Sequence, residues 1–380
     1  MADRSPSGQR IRLLRRELGW RKRTILRRYL GARAEPSEWI ALSAYRGLIH
    51  QTWRQGPLQP QVVADVWHDG RFQKAQGLPD FFTPFQRERE ASSHHYGHDI
   101  QLKRHAALPL IGPPLPFLLE HGLKVSREAQ FDPPRDWSWG GYLCMGKQRA
   151  TWISEHFACE AQPIGPWISY ANCILNPDEL QQQRLSLGKT LLVIPAHSWD
   201  RVNRSTDLDQ CIHAIQKTAH EHAYTQVIWL RHWQDPLHLP LPPGWLHACN
   251  GHRSNPWFLD ALRTLLEISD GVISNAFGTH LGYAVAMGKQ LHWIDCPSVE
   301  DHSRLSADEA RRAQLEQEER LRLSRELQAL LENGGPSDAT QRALRALLNP
   351  YWGFDCHRGP SELRRMLQSP KRSSRTSRCS

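Results

Sequence analysis

The chain has no CxxC pair. Its eight cysteines (Cys144, Cys159, Cys173, Cys211, Cys249, Cys296, Cys356, Cys379) are scattered. That spacing speaks against a zinc ribbon or a disulfide scaffold and favours a reducing, cytoplasmic setting. No apolar run approaches the roughly 20 residues of a membrane span, and no secretory segment is expected ahead of the first domain. The core of the second half carries no DxD-type acidic motif, so neither a metal nor another cofactor is expected there. Internal repeats are absent, which excludes a solenoid. Excess charge is missing from most of the chain. Residues 1–34 hold eleven Arg or Lys against Asp3 and Glu17, so this arm accounts for the entire net charge of +9. The protein reads as a basic arm on a near-neutral globular body.

Within the arm, Ile11, Leu14, Leu18 and Ile25 share one helical face and arginines fill the others. A basic amphipathic helix suits an anionic membrane surface, where each cation adds about 1 kcal/mol. A solvated, partly disordered terminus is an equal alternative. Nucleic acid ranks third, because no basic and aromatic interleaving continues into the body. The Ser- and Arg-rich residues 369–380 read as a disordered tail.

Residues 37–172 are expected to form a smaller α/β domain. Helical spacing runs from Trp39 to Trp53. A polar stretch with His94, His95 and His98 reads as a solvated loop, since no carboxylate or cysteine stands at ligand spacing. Leu108 to Leu119 is apolar but broken by four prolines, and it leads into Glu120-His121-Gly122. Gly141 to Met145 reads as a short strand.

Residues 173–350 are clearer. Thr190 to Ile194, Gln226 to Leu230, Trp245 to Cys249, Gly271 to Ser274 and Leu291 to Ile294 are apolar strands. Helical stretches separate most of them, at Asp207–His222, Pro256–Ile268 and Leu281–Met287. Continuous apolar strands alternating with helices predict a parallel sheet covered on both faces. In such sheets ligands sit beyond the carboxyl ends of the strands. Polar clusters stand at those ends: His197-Ser198, Arg231-His232, Gly251-His252-Arg253 and Asn275 to His280. A long charged helix follows from Ser306, with Ser306 and Glu309 as a capping box. Further helices are expected at Asp338–Leu348 and Pro360–Leu367, the latter within a return segment, residues 351–368.

The most informative stretch is Asp270 to Lys289, DGVISNAFGTHLGYAVAMGK. A strand, a polar turn and a helix N-terminus together make an anion site, through unpaired N–H groups and the helix dipole. Gly278 allows close approach of a phosphate, and Thr279 can cap the helix and donate its hydroxyl. Together with Val193 to Ser198 and Gly251-His252-Arg253, this block resembles the donor-nucleotide domain of GT-B glycosyltransferases, and in particular bacterial capsule and surface-polysaccharide proteins with an SNxxGTHxGYAxxxGK block. Glu120-His121-Gly122 resembles the "HG" of acceptor domains in capsule and teichoic-acid polymerases.

The resemblance implies two Rossmann-type domains with a cleft between them, a nucleotide-sugar donor and a carbohydrate or lipid-linked acceptor. It implies His121 as the base and His197, Ser198, Gly251, His252, Arg253, Asn275, Gly278, Thr279 and His280 as donor contacts. Each residue also has a structural reading. Asn275 can fix the turn through its own side chain. Ser198 can serve as a cap, and Lys289 can complement a helix C-terminus. A cation at position 280 is disfavoured in a first helical turn, so His280 is neutral or faces a phosphate. Gly278, Gly282 and Ala286 can simply admit close helix packing. Asp200 and Asp235 read as loop residues. Of the fifteen tryptophans, edge residues such as Trp199 and Trp233 can stack on sugars, and most others belong in the core. The competing functions are polyol-phosphate transfer or nucleotide-sugar epimerisation on the same fold, and a non-catalytic binding protein.

Overall fold

The computed structural model describes residues 95–108, 115, 117–128, 141–157, 160–198, 202–232, 235, 239–251, 255, 257–335 and 337–368. The basic arm, the helix expected at Trp39–Trp53 and the tail lie outside the described residues, as do His94, Trp199, Asp200, Trp233, His252 and Arg253. The chain is α/β, with its larger sheets parallel.

The first sheet contains β1 (Phe117–Leu119), β2 (Gly141–Cys144) and β3 (Ala161–Pro163), all parallel in the order β1-β2-β3. Helix α1 (His98–His105) precedes it, and α2 (Lys147–Phe157) joins β2 to β3. The second sheet has five parallel strands: β4 (Thr190–Val193), β6 (Gln226–Leu230), β7 (Leu246–Ala248), β8 (Gly271–Ser274) and β9 (Gln290–Trp293). A short ribbon of β5 (Asn203–Ser205) and β10 (Val299–Asp301) is antiparallel.

Helix α3 (Pro177–Leu187) leads into β4, and α4 (Leu208–Glu221) leads into β6. α5 (Phe258–Ile268) and α6 (Thr279–Ala286) flank β8. α7 (Ala307–Gly334), α8 (Asp338–Trp352) and α9 (Pro360–Gln368) complete the chain. The five-stranded order is β7-β6-β4-β8-β9. Renumbered within that sheet it is 3-2-1-4-5, the doubly wound order in which the chain reverses direction between β4 and β8.

The strands form because their residues are apolar on both faces. Leu191, Val193, Val227, Trp229 and Ile273 point to one side and meet Cys211 and Ile215 of α4. Leu192, Ile228, Leu230 and Val272 point to the other and join a larger core with α5, α6 and α8. Phe117, Leu119 and Leu143 of the first sheet belong to that same core, while Leu118, Tyr142 and Cys144 face Ile153 of α2. One apolar cluster therefore spans both sheets. Each such side chain contributes roughly 1.5–3 kcal/mol by leaving water.

Polar pins fix the elements against each other. Arg104 of α1 grips Asp260 of α5 with two bonds of 2.8 Å, and Asp260 also accepts from the Asn172 N–H at 2.9 Å. Asn176 and Glu179 form a capping box that starts α3, an element the sequence reading had not placed. The Ser306–Glu309 box starts α7 as expected. Helix α8 runs past the expected Leu348 to Trp352, carrying Pro350 in its last turn, and ends on Gly353 in the left-handed region. The extension delivers the Trp352 indole to α6, where its N–H donates to the Thr279 carbonyl at 3.0 Å. A β-carbon on Gly282 would lie within 2.2 Å of that indole, so glycine there is a packing requirement.

Two local expectations are corrected. His98 is not on a solvated loop. It opens α1, is buried, and stacks on Trp167 with ring centroids 4.1 Å apart. The buried Ile100 and Leu102 of the same helix pull it inward. Thr279 does not cap α6 through its side chain. Gly278 occupies the cap position with no side-chain bond, and Thr279 is the first helical residue.

Candidate functional site

A cleft of about 630 Å³ runs along the carboxyl ends of β4, β6, β7, β8 and β9. Among its lining residues are His121, His197, Gly251, Asn275, Gly278, Thr279 and His280. Seven of the ten sequence-selected residues thus meet in one cavity. Ser198 stands at its edge: its hydroxyl accepts from the Arg204 N–H at 2.9 Å and closes the loop that leads to β5. His252 and Arg253 follow Gly251 outside the described residues.

The switch point between β4 and β8 is built from side chains that hold backbone. Asn275 accepts from the Ala196 N–H at 2.8 Å and donates to the Cys296 carbonyl at 2.9 Å. It thereby ties the ends of β4, β8 and β9 together, which is the structural role its type suggested. The Ser274 hydroxyl donates to the Ile194 carbonyl at 2.7 Å. With that proton committed, Ser274 is an acceptor for His280 Nε2 at 2.9 Å. His280 is then the Nε2–H tautomer, with Nδ1 as an acceptor. Gly278 leaves room for this ring, since a β-carbon there would lie 2.8 Å from the imidazole. The imidazole serves the turn. In the first turn of α6 the N–H groups of Thr279 and His280 have no acceptor among the described residues.

The loop after β1 is fastened to this turn. The Leu123 N–H donates to Thr279 Oγ1 at 3.0 Å, and Gly122 adopts φ 121° to make the approach. Arg320 of α7 donates to the Phe277 carbonyl and, at 2.8 Å, to that of Leu123. Glu316, one turn before, holds Arg320 at 2.9 Å and accepts from the Ser126 N–H at 2.8 Å. Burial pulls the Glu316 carboxyl upward, but Arg320 and Lys124 outweigh it and keep its pKa below the ordinary value. One ion pair on α7 thus clamps the His121 loop to the switch-point turn. Sequence reading missed it, although Glu316 and Arg320 stand at the i, i+4 spacing that pairs side chains on a helix.

Beneath His121, Glu120 pairs with Arg149 at 2.5 Å, both buried. Burial raises the Glu120 pKa against the pull of Arg149. On the opposite wall His197 stacks on His232, centroids 4.5 Å apart. His197 is exposed to the cleft, and the protein crowded around it together with Arg204 lowers its pKa. Arg204 in turn pairs with Glu300 at 2.6 Å, and His302 bonds the other oxygen of Glu300 at 2.8 Å. Lys289 faces away from the cleft and donates to the Ser269 carbonyl at 2.7 Å, while Asp235 is a loop acceptor for the His232 N–H at 2.7 Å.

Arg231, at the end of β6, also lines the cleft. It is 2% exposed and donates through Nη1 to the Asp235 carbonyl at 2.9 Å. Its Nε and Nη2, and Oδ1 of nearby Asn250, are buried without a hydrogen-bond partner among the described residues. The Arg231-His232 strand end was visible in the sequence, but that no acidic side chain among the described residues bonds the guanidinium was not.

Burial and neighbouring positive charge hold His280 neutral, its pKa lowered to about 3, and lower that of His98 well below the usual imidazole range. Above the unfolded value of about 6.5 neither ring is charged in either state. Below it the unfolded chain takes up protons that the folded chain refuses, so stability falls as pH drops. The slope is at most about 1.4 kcal/mol per pH unit for each ring. Urea unfolding at pH 7 and pH 5 should show this loss, and His280→Asn should flatten it. An unchanged pH dependence in that variant would contradict the assignment.

Compared with protein-family models and with curated proteins, the chain matches none. Among the described residues no helix is long and apolar enough to cross a membrane, and no three His, Cys, Asp or Glu side chains are grouped to hold a metal ion.

Proposed function

We propose that this cleft binds a nucleotide sugar and that the chain is a glycosyltransferase of GT-B type, acting on a surface-polysaccharide or lipid-linked acceptor. The observation that carries the reading is the Leu123–Thr279 bond. It seats the His121 loop directly on the helix N-terminus at the switch point of a doubly wound sheet. Base and anion site thus share one cavity.

In the proposed reaction His121 takes the proton of an acceptor hydroxyl as that oxygen bonds the anomeric carbon. The bond from that carbon to the diphosphate breaks, and its electron pair leaves with the diphosphate. The free N–H groups and dipole of α6 offset the charge that develops there. An epimerase would need paired free carboxylates. Of the acids lining the cleft, Glu300 is engaged by Arg204 and His302, Glu316 by Arg320 and Glu309 by Ser306, which leaves Asp295 as a single carboxylate rather than a pair. That favours transfer. Polyol-phosphate transfer differs in its product, which mass analysis distinguishes. The proposed acceptor places the protein at the cytoplasmic face of the membrane, with residues 1–34 as the contact.

A thermal-shift screen with UDP, GDP, CMP and CDP tests donor binding. At a hundredfold excess over Kd a true ligand stabilises by about 2.7 kcal/mol. A flat response to all four nucleotides would count against the reading.

A further inference from the structure

The guanidinium of Arg231 presents an unsolved problem of charge. It is always protonated, and burying such a group with N–H donors left unbonded is costly. Among the described residues its hydrogen-bond partners are carbonyl oxygens, of His232 at 3.4 Å and Asp235 at 2.9 Å, and both engage Nη1. The Asp235 carboxylate turns instead to the His232 N–H at 2.7 Å. Burial raises the Asp235 pKa against the pull of the His232 N–H and of Arg231, so this carboxylate acts on the guanidinium through space and bonds none of its N–H groups. Nε and Nη2 form the edge of the guanidinium that matches two oxygens of one anion, and this edge is the one left without a partner among the described residues. Asn250, at the neighbouring end of β7, is buried with an uncommitted amide oxygen. Both residues line the cleft.

We infer that Arg231 forms an oxyanion subsite at the β6–β7 end of the cleft, binding a phosphoryl or carboxylate group through its Nε–Nη2 edge, with Asn250 receiving a hydroxyl or N–H of the same ligand. The subsite is separate from the first turn of α6. Strand β4 lies between β6 and β8, so the two strand ends are about 10 Å apart. Its carbonyl contacts hold the guanidinium on its own side. A ligand filling the cleft therefore carries an anionic group beyond any that docks on α6. The inference stands whether or not the cleft transfers sugars.

Titration calorimetry on the full chain, with inorganic pyrophosphate and with malonate at fixed ionic strength, tests it without a sugar donor. Saturable binding of at least one anion is expected, and which one binds assigns the phosphoryl or carboxylate class. Arg231→Lys keeps the charge but loses the two-donor edge, and should weaken binding about tenfold. Arg231→Met should abolish it, and its ligand-free melting temperature should equal or exceed that of the parent, because a buried charge with unbonded N–H groups has been removed. Two results overturn the inference: no binding of either anion to the parent, or equal binding by the parent and Arg231→Lys. Neither bears on the nucleotide screen, so the subsite and the donor reading can fail independently.

Discussion

Replacing His121 with asparagine is expected to slow sugar transfer by about 10²- to 10⁴-fold, the range of a lost general base, while nucleotide binding stays within about twofold. The separation follows from geometry. His121 sits on the loop after β1, and the proposed diphosphate contacts are the N–H groups of Thr279 and His280 on α6. The link between the two is the Leu123 N–H to Thr279 Oγ1 bond, a backbone donor that the substitution leaves in place. Asparagine keeps a polar group of similar reach but cannot accept a proton near neutral pH. Single-turnover rates and nucleotide titrations on the same preparation check the split. A fall in nucleotide affinity equal to the fall in rate would make His121 a positioning residue. An unchanged rate would remove it from the chemistry.

Much of this site was legible in the sequence because it depends on local pattern. β4, β6 and β8 are continuous apolar runs that each end in a polar cluster, and those clusters line the cleft. The capping box at Ser306 and the small residues of α6 carry their own signals. What escaped depends on residues far apart in the chain. Arg320 meets Leu123 across 197 positions, and no periodicity announces such a contact. His98 lay in a stretch of histidines and glycine that reads as solvated. The ring that covers it belongs to Trp167, 69 positions away. Asn275 shows a third kind of limit. Its type and place suit a phosphate contact, yet both ends of its amide hold backbone. Sequence located the residue; its scaffold contacts needed the partners.

The second large effect is expected at Arg149. Arg149→Met should destabilise the fold by about 3–5 kcal/mol, the usual result of stranding one member of a buried ion pair. Arg149 is 2% exposed and Glu120 5%, so water cannot replace the lost partner. Glu120 would then take up a proton. Its folded pKa already lies above the ordinary carboxylate value through burial, and without Arg149 it should rise further. The unfolded carboxyl titrates near 4.3, so the folded variant binds the extra proton between that value and its own raised pKa. Stability of the variant should therefore fall, relative to the parent, as pH rises from 5 to 8. Adding Glu120→Leu should restore much of the loss, because an apolar pair can replace a buried ion pair at little cost. Urea midpoints for the two variants at three pH values test all of this. A double variant no more stable than Arg149→Met would show that Arg149 acts by packing alone. The effect also reaches the cleft. The Glu120 N–H bonds the Leu143 carbonyl at 2.9 Å, so the residue that precedes His121 anchors its loop to β2. Transfer by Arg149→Met should fall even where the protein is fully folded, whereas the nucleotide response, seated on α6, should persist.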